Sequence, residues 1–279
     1  MFNRLPLNRR LRAGLRVMLG ALSLLAGAAP AAAQGDLLVA PTRVVIAGGG
    51  GAEVVLSNIG SAPATYRIAL ELRRMGENGD FQDVAEAAAN PAEQAALAMV
   101  RYAPRRITLL PGQPQAVRIS VRPPEGLPDG EYRVHMSFRA IPPALPAEAE
   151  ASDGGVSIRL VPVYGITIPV IVRKGQLDAA ATLANPRIVN GPQGAYLELD
   201  MTRSGTRSTY GELIGKSARG ELIFDLKGIA IYPEVTRRAA RVPLSTEQAA
   251  KLKGPVRLEY RELPENGGKL IAELVTAIK

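Results

Sequence analysis

His135 is the only histidine among 279 residues, and the chain has no cysteine. Any histidine-assisted nucleophile must therefore use His135, and any zinc site must do without thiolates. His135 stands in an alternating stretch with Arg133, Ser137 and Arg139, and no G-x-S-x-G turn is near it. It is expected on a solvent-facing strand surface, not in a triad. One histidine with scattered carboxylates makes no metal-ligand spacing, and nothing marks the facing carboxylate pair that glycoside hydrolysis needs. Residues 48–51 are all glycine, but no Lys-Ser/Thr follows and residues 53–56 continue as strand, which predicts a turn and not a phosphate cradle. Arg101, Arg105 and Arg106, and Arg237, Arg238 and Arg241, could meet a polyanion. Aromatic residues make up only 4% of the chain, however, too few to interleave as a stacking platform. Solvated strand faces are expected there. These residues predict no enzyme, no cofactor, no metal site and no nucleic-acid partner.

The more informative pattern belongs to the backbone. Residues 156–172 read VSIRLVPVYGITIPVIV, with every even position apolar or aromatic and Ser157, Arg159, Gly165 and Thr167 among the odd ones. That is period two, hence strand. Seventeen extended residues would span roughly 55 Å, against about five or six residues for an ordinary strand. Pro162 and Pro169 cannot donate to a ladder, which argues against a central position for the whole run. An aliphatic edge is a template for another chain, and only Arg159 blunts it. Two readings stay open. Either Val156, Ile158 and Leu160 are offered to a partner by strand addition, or this is a buried sandwich strand broken near residues 162–165, which the pattern alone favours.

Composition bounds the rest. The length suggests one or two domains, each able to form a core without disulfides. The formal charge is +8, yet Arg4, Arg9, Arg10, Arg12 and Arg16 precede any acidic residue, and without those five the balance is +3. Residues 1–33 combine this basic start with an apolar run at 17–29 and a small-residue end at Ala31, Ala32 and Ala33, the three parts of a cleaved secretory signal. The run is about 13 residues, short of the roughly 20 that span a bilayer. An exported protein without membrane insertion is expected.

From residue 37 onward, short aliphatic runs alternate with turn signals at residues 48–51, 58–63 and 76–79, which predicts an all-β protein. Residues 84–99 are alanine-rich and interrupted by Pro91, allowing at most a short helical turn in a long loop. Tyr132, Val134, Met136 and Phe138 share one strand face. Asp129-Gly130-Glu131-Tyr132 looks like the corner of an immunoglobulin-type sandwich, where a tyrosine hydroxyl bonds back to the corner's backbone. A polar linker at 144–155 follows. Beyond Gly175 a second set of strands is divided by turns at Asn190-Gly191, Ser204-Gly205, Lys227-Gly228 and residues 266–268, with a capping box at Ser245 and Gln248. The expected architecture is two β-sandwich domains in tandem, at 35–173 and 175–279.

Several segments resemble the PapD-like periplasmic pilus chaperones. LVAPTRVVI at 38–46 looks like their first strand, the segment from Arg101 through Ala103-Pro104 to ITLLPG looks like their proline-marked stretch, and GEYRVHMSFRAIPP at 130–143 is similar to their F strand. The resemblance implies two immunoglobulin-like sandwiches and a periplasmic, non-enzymatic role without cofactor. It implies that pilus or fimbrial subunits are bound by donor-strand complementation and delivered to an outer-membrane usher. The alternative is an exported structural or adhesive sandwich protein that donates no strand. Aligned through the Ile-Pro-Pro end, Val156, Ile158 and Leu160 take the donor positions. Arg43 takes the family's arginine that anchors the subunit's terminal carboxylate. The companion lysine falls on Gly165, and the family's interdomain arginine falls near Pro169, with Arg173 displaced from it.

Overall fold

The computed structural model describes residues 37–142 and 163–278. The expected signal segment, the linker at 144–155 and the donor positions Val156, Ile158 and Leu160 all lie outside the described residues. The described chain is built almost wholly of strands. The first ten are β1 (Leu37–Ala40), β2 (Val44–Ala47), β3 (Gly50–Asn58), β4 (Ala64–Met75), β5 (Phe81–Val84), β6 (Val100–Ala103), β7 (Arg106–Leu109), β8 (Pro114–Val121), β9 (Gly130–Ile141) and β10 (Gly165–Lys174). They form two sheets, in the orders β1-β3-β8-β6 and β2-β10-β9-β4-β5, with β7 also paired to β4. Alternation supplies the core between them: Val54 and Leu56, Val117 and Ile119, Val134 and Met136, and Ile168 and Val170 all point inward.

Seven strands follow: β11 (Ala179–Gly191), β12 (Gly194–Gly205), β13 (Thr209–Ser217), β14 (Leu222–Ile231), β15 (Arg237–Pro243), β16 (Gly254–Arg261) and β17 (Leu270–Ile278). Their sheets run β11-β12-β15 and β14-β13-β16-β17 and enclose a second core around Leu197, Leu199, Leu213, Ile231, Leu258 and Tyr260. The protein is therefore all-β with two sandwiches in tandem. Met75 and Ile171, from the first set of strands, pack into the second core.

The sandwich corner forms as its residues predict. The Tyr132 hydroxyl donates to the Pro128 carbonyl at 2.7 Å. The capping box at Ser245 and Gln248 is complete in both directions and opens α2 (Thr246–Lys251), the second of two α-helices among the described residues. The alanine-rich stretch behaves differently from expectation. It contains a nine-residue helix, α1 (Pro91–Met99), where at most one turn is predicted. Pro91 starts this helix instead of interrupting it, because the first helical position needs no N–H. Asn90 and Glu93 cap it reciprocally, and Ala96 and Met99 anchor it in the first core. Lys227-Gly228 likewise does not separate two strands. Gly228, at φ 80°, sits within β14 where the register against β13 shifts, a bulge that glycine tolerates.

Candidate functional site

β10 lies between β9 and β2, but its two sides are covered unequally. Against β9 it is paired along its full length, from Gly165 opposite Arg139 to Lys174 opposite Gly130. Against β2 it is paired only from Val170 to Arg173. Among the described residues, no strand covers the outer side of residues 165–169. The Ala140 N–H donates to the Tyr164 carbonyl at 2.9 Å, so even residues of β10 exchange hydrogen bonds with β9 and odd residues turn theirs outward. The Gly165 and Thr167 amides thus face the open side. Pro169 also faces it, which is why a proline is tolerated in this sheet: the ladder to β9 never needed its N–H.

The open side has a defined end. β2 runs parallel to β10 and begins at Val44 opposite Val170. A guest strand laid parallel along residues 165–169 would be collinear with β2 and would have to stop there. The residue immediately before β2 is Arg43.

Arg43 is held by the second sandwich. It donates to the Tyr232 hydroxyl at 2.8 Å and to Ser208 Oγ at 3.3 Å, and its guanidinium lies 4.3 Å from the centre of the Tyr210 ring. Neutral partners and aromatic faces orient the cation without neutralising it. Among the described residues Arg43 has no ion pair. Arg173, at the far end of β10, differs: its Nε donates to Glu131 Oε2 at 3.0 Å, and the same oxygen accepts from the Ser208 N–H and hydroxyl. A cleft of about 980 Å³ opens beside these groups, lined among others by Thr42, Arg43, Arg173, Tyr210 and Leu270.

The surrounding joint is densely bonded. Glu234 accepts from the Met75 N–H at 2.9 Å and pairs with both terminal nitrogens of Arg133, whose guanidinium lies 3.7 Å from the Tyr232 ring centre. His135 belongs to this joint and not to a solvent-facing surface. It is only 4% exposed, with the Phe81 ring edge-on at 5.2 Å and Phe81 in turn beside Tyr232. Period two shows which residues share a face, but not that a ring from another strand, Phe81 of β5, covers it. Burial, followed by the positive charge of Arg133, Arg73 and Arg43, pushes the His135 imidazole down to about 3. Neither of its nitrogens has a hydrogen-bond partner, so no hydroxyl or carboxylate is placed for proton transfer to it. Among the described residues no cluster of three or more histidine or acidic side chains could hold a metal ion. No helix there is long and apolar enough to cross a membrane.

The structure brings Arg43, which the sequence singled out, to the end of the open side of β10; the donor positions the sequence singled out, Val156, Ile158 and Leu160, lie outside the described residues. The residues that hold Arg43, namely Ser208, Tyr210 and Tyr232, carry no sequence signal, because their partner is more than 160 positions away. Gly165, where the resemblance expects a lysine, lies against β9: a Cβ there would meet Arg139 Cγ and the Phe138 carbonyl at 3.3 Å.

No family model and no curated protein sequence matches the chain. Solved structures do. The DraB chaperone of E. coli is 17% identical, the match covering 87% of this chain and 96% of that one at a TM-score of 0.45. The CupB2 chaperone of Pseudomonas aeruginosa is 13% identical, with 87% and 100% covered and a TM-score of 0.44. A chain of the CsuC-CsuE chaperone-tip adhesion subunit pre-assembly complex from Acinetobacter baumannii is 12% identical, with 88% and 98% covered and a TM-score of 0.44. At such identities the likeness is one of chain path and gives no side chain a role. Over most of its length the chain is similar in fold to solved pilus chaperones.

Proposed function

We propose that the protein is a periplasmic chaperone for pilus or fimbrial subunits, which it stabilises by strand complementation and passes to an outer-membrane usher. One observation carries the reading: the outer side of β10 is open over residues 165–169 and stops at an unneutralised arginine, Arg43. A subunit strand added parallel to β10 would take hydrogen bonds from the Gly165 and Thr167 amides. Its terminal carboxylate would then arrive at Arg43, whose fork can bind it bidentately. In the sequence, Val156, Ile158 and Leu160 share the even parity of Ile166 and Ile168. Their burial in an incomplete subunit would contribute about 5 to 9 kcal/mol, at roughly 1.5–3 kcal/mol each, before the cost of ordering. Such a bond holds a subunit and still yields to a better-fitting strand. The energy comes from folding itself, so no nucleotide or other cofactor is required.

Co-expression with small β-subunits encoded beside the gene tests this. A subunit is expected to co-purify with the wild-type protein and to be lost with Arg43→Glu and with Ile158→Asp. Retention of the subunit by both variants would overturn the site. Failure of any subunit to co-purify would favour a structural or adhesive sandwich protein that donates no strand.

A further inference from the structure

Three guanidinium groups converge on one buried residue. Arg43 reaches Ser208 Oγ at 3.3 Å, Arg173 reaches the same oxygen at 3.5 Å, and Arg207 donates to the Ser208 carbonyl at 3.4 Å. Ser208 itself is fully buried. One carboxylate answers the three cations, that of Glu131, and its bonding oxygen is already engaged by Arg173 and Ser208. Arg43 and Arg207 have no ion pair among the described residues. Both line the same cleft, as does Lys269, while the acidic residues on its wall are Glu262 and Glu265. Like charges held together raise the energy of the empty cleft, and an anion placed between them lowers it.

We propose that Arg207, from the second sandwich, is the second arm of the carboxylate site, so that the end of a bound chain is clamped between Arg43 and Arg207. This rests on the chaperone reading for the identity of the guest. The anion is a chain-terminal carboxylate because a strand on the open side of β10 is forced to end at the start of β2. The site spans both sandwiches and therefore needs no lysine at Gly165, which is pressed against β9. Arg43 is pre-positioned by Tyr232 and Tyr210. Arg207 reaches the same cleft from the turn between β12 and β13.

The test uses the full mature chain and one probe, an N-acetylated alternating valine-threonine pentapeptide, with either a free terminal carboxylate or a terminal amide. Arginine Nε–H signals and affinity are followed by NMR titration. The acid form is expected to bind about tenfold more tightly than the amide, as one charge-assisted pair would give, and to shift the signals of both Arg43 and Arg207. Arg207→Gln is expected to lose most of the preference for the acid, weakening the acid form more than the amide, and Arg207→Lys to keep more of it than Arg207→Gln. An intact preference in Arg207→Gln with loss in Arg43→Gln would overturn the second arm and leave the strand-edge reading standing. Equal binding of acid and amide by the wild type would overturn the clamp outright, as would an equal loss of both forms in Arg207→Gln. The chaperone reading is decided separately by co-purification.

Discussion

Glu131 and Ser208, from different sandwiches, are joined by two hydrogen bonds to a single carboxylate oxygen: the Ser208 N–H at 3.1 Å and the Ser208 hydroxyl at 2.9 Å. The Glu131 side chain is only 1% exposed and also neutralises Arg173. Glu131→Gln would leave Arg173 without a counter-charge and weaken both bonds to Ser208. The expected cost is about 1–3 kcal/mol, read as a fall in the urea midpoint. An unchanged midpoint would mean that this contact does not hold the joint.

His135 gives the protein a pH-dependent stability with a defined sign. Its folded value, about 3, lies below the ordinary 6.5, so between those values the unfolded chain binds a proton that the folded chain refuses. Stability therefore falls as pH drops through this window, by an amount on the order of a few kcal/mol by pH 3. The carboxylates held below their ordinary range, Glu93, Glu198, Asp200, Glu247 and Glu259, start from 3.8 to 4.5, so the histidine dominates the span from pH 6.5 to 5. Urea midpoints at those two pH values should differ in the wild type and differ far less in His135→Phe. A slope that survives undiminished in the variant would assign it to another group.

The corner tyrosine should behave as a single-bond probe. Tyr132→Phe removes the bond to the Pro128 carbonyl and is expected to cost about 0.5–1.5 kcal/mol. The slope of the unfolding transition should be unchanged, because the buried surface is the same.

The helix at residues 91–99 was unreadable from its alanines but is explained by its cap. Asn90→Ala removes the acceptor for the Glu93 N–H and is expected to cost about 1 kcal/mol. Hydrogen exchange confined to the first turn of α1 would show the loss. Protection unchanged there would mean that packing of Ala96 and Met99 alone sets the helix.

Local chemistry made much of the fold legible. Alternation at Tyr132, Val134, Met136 and Phe138 identified a core strand, and the Ser245-Gln248 spacing identified a helix start. Contacts between distant strands were not legible. His135 looked solvent-facing because nothing in its own strand reports that Phe81, with Tyr232 beside it, closes over it. Arg43 could be singled out, but its partners Ser208 and Tyr210 could not. Pro162 and Pro169 suggested an edge, and β10, which holds Pro169, shows why that was half the answer: the strand is central where β2 covers it and an edge where it does not.

Amide exchange of β10, measured by NMR in the free protein and in a purified complex with a co-expressed subunit, puts the open edge to the test most directly. The Gly165 and Thr167 N–H groups should exchange rapidly when free and slow by at least about a hundredfold in the complex, the effect of a protected ladder bond. Ile166 and Ile168, already bonded to β9, should be slow in both. If Gly165 and Thr167 exchange equally fast with the subunit bound, no strand is added along β10, and a chaperone acting by strand complementation is ruled out.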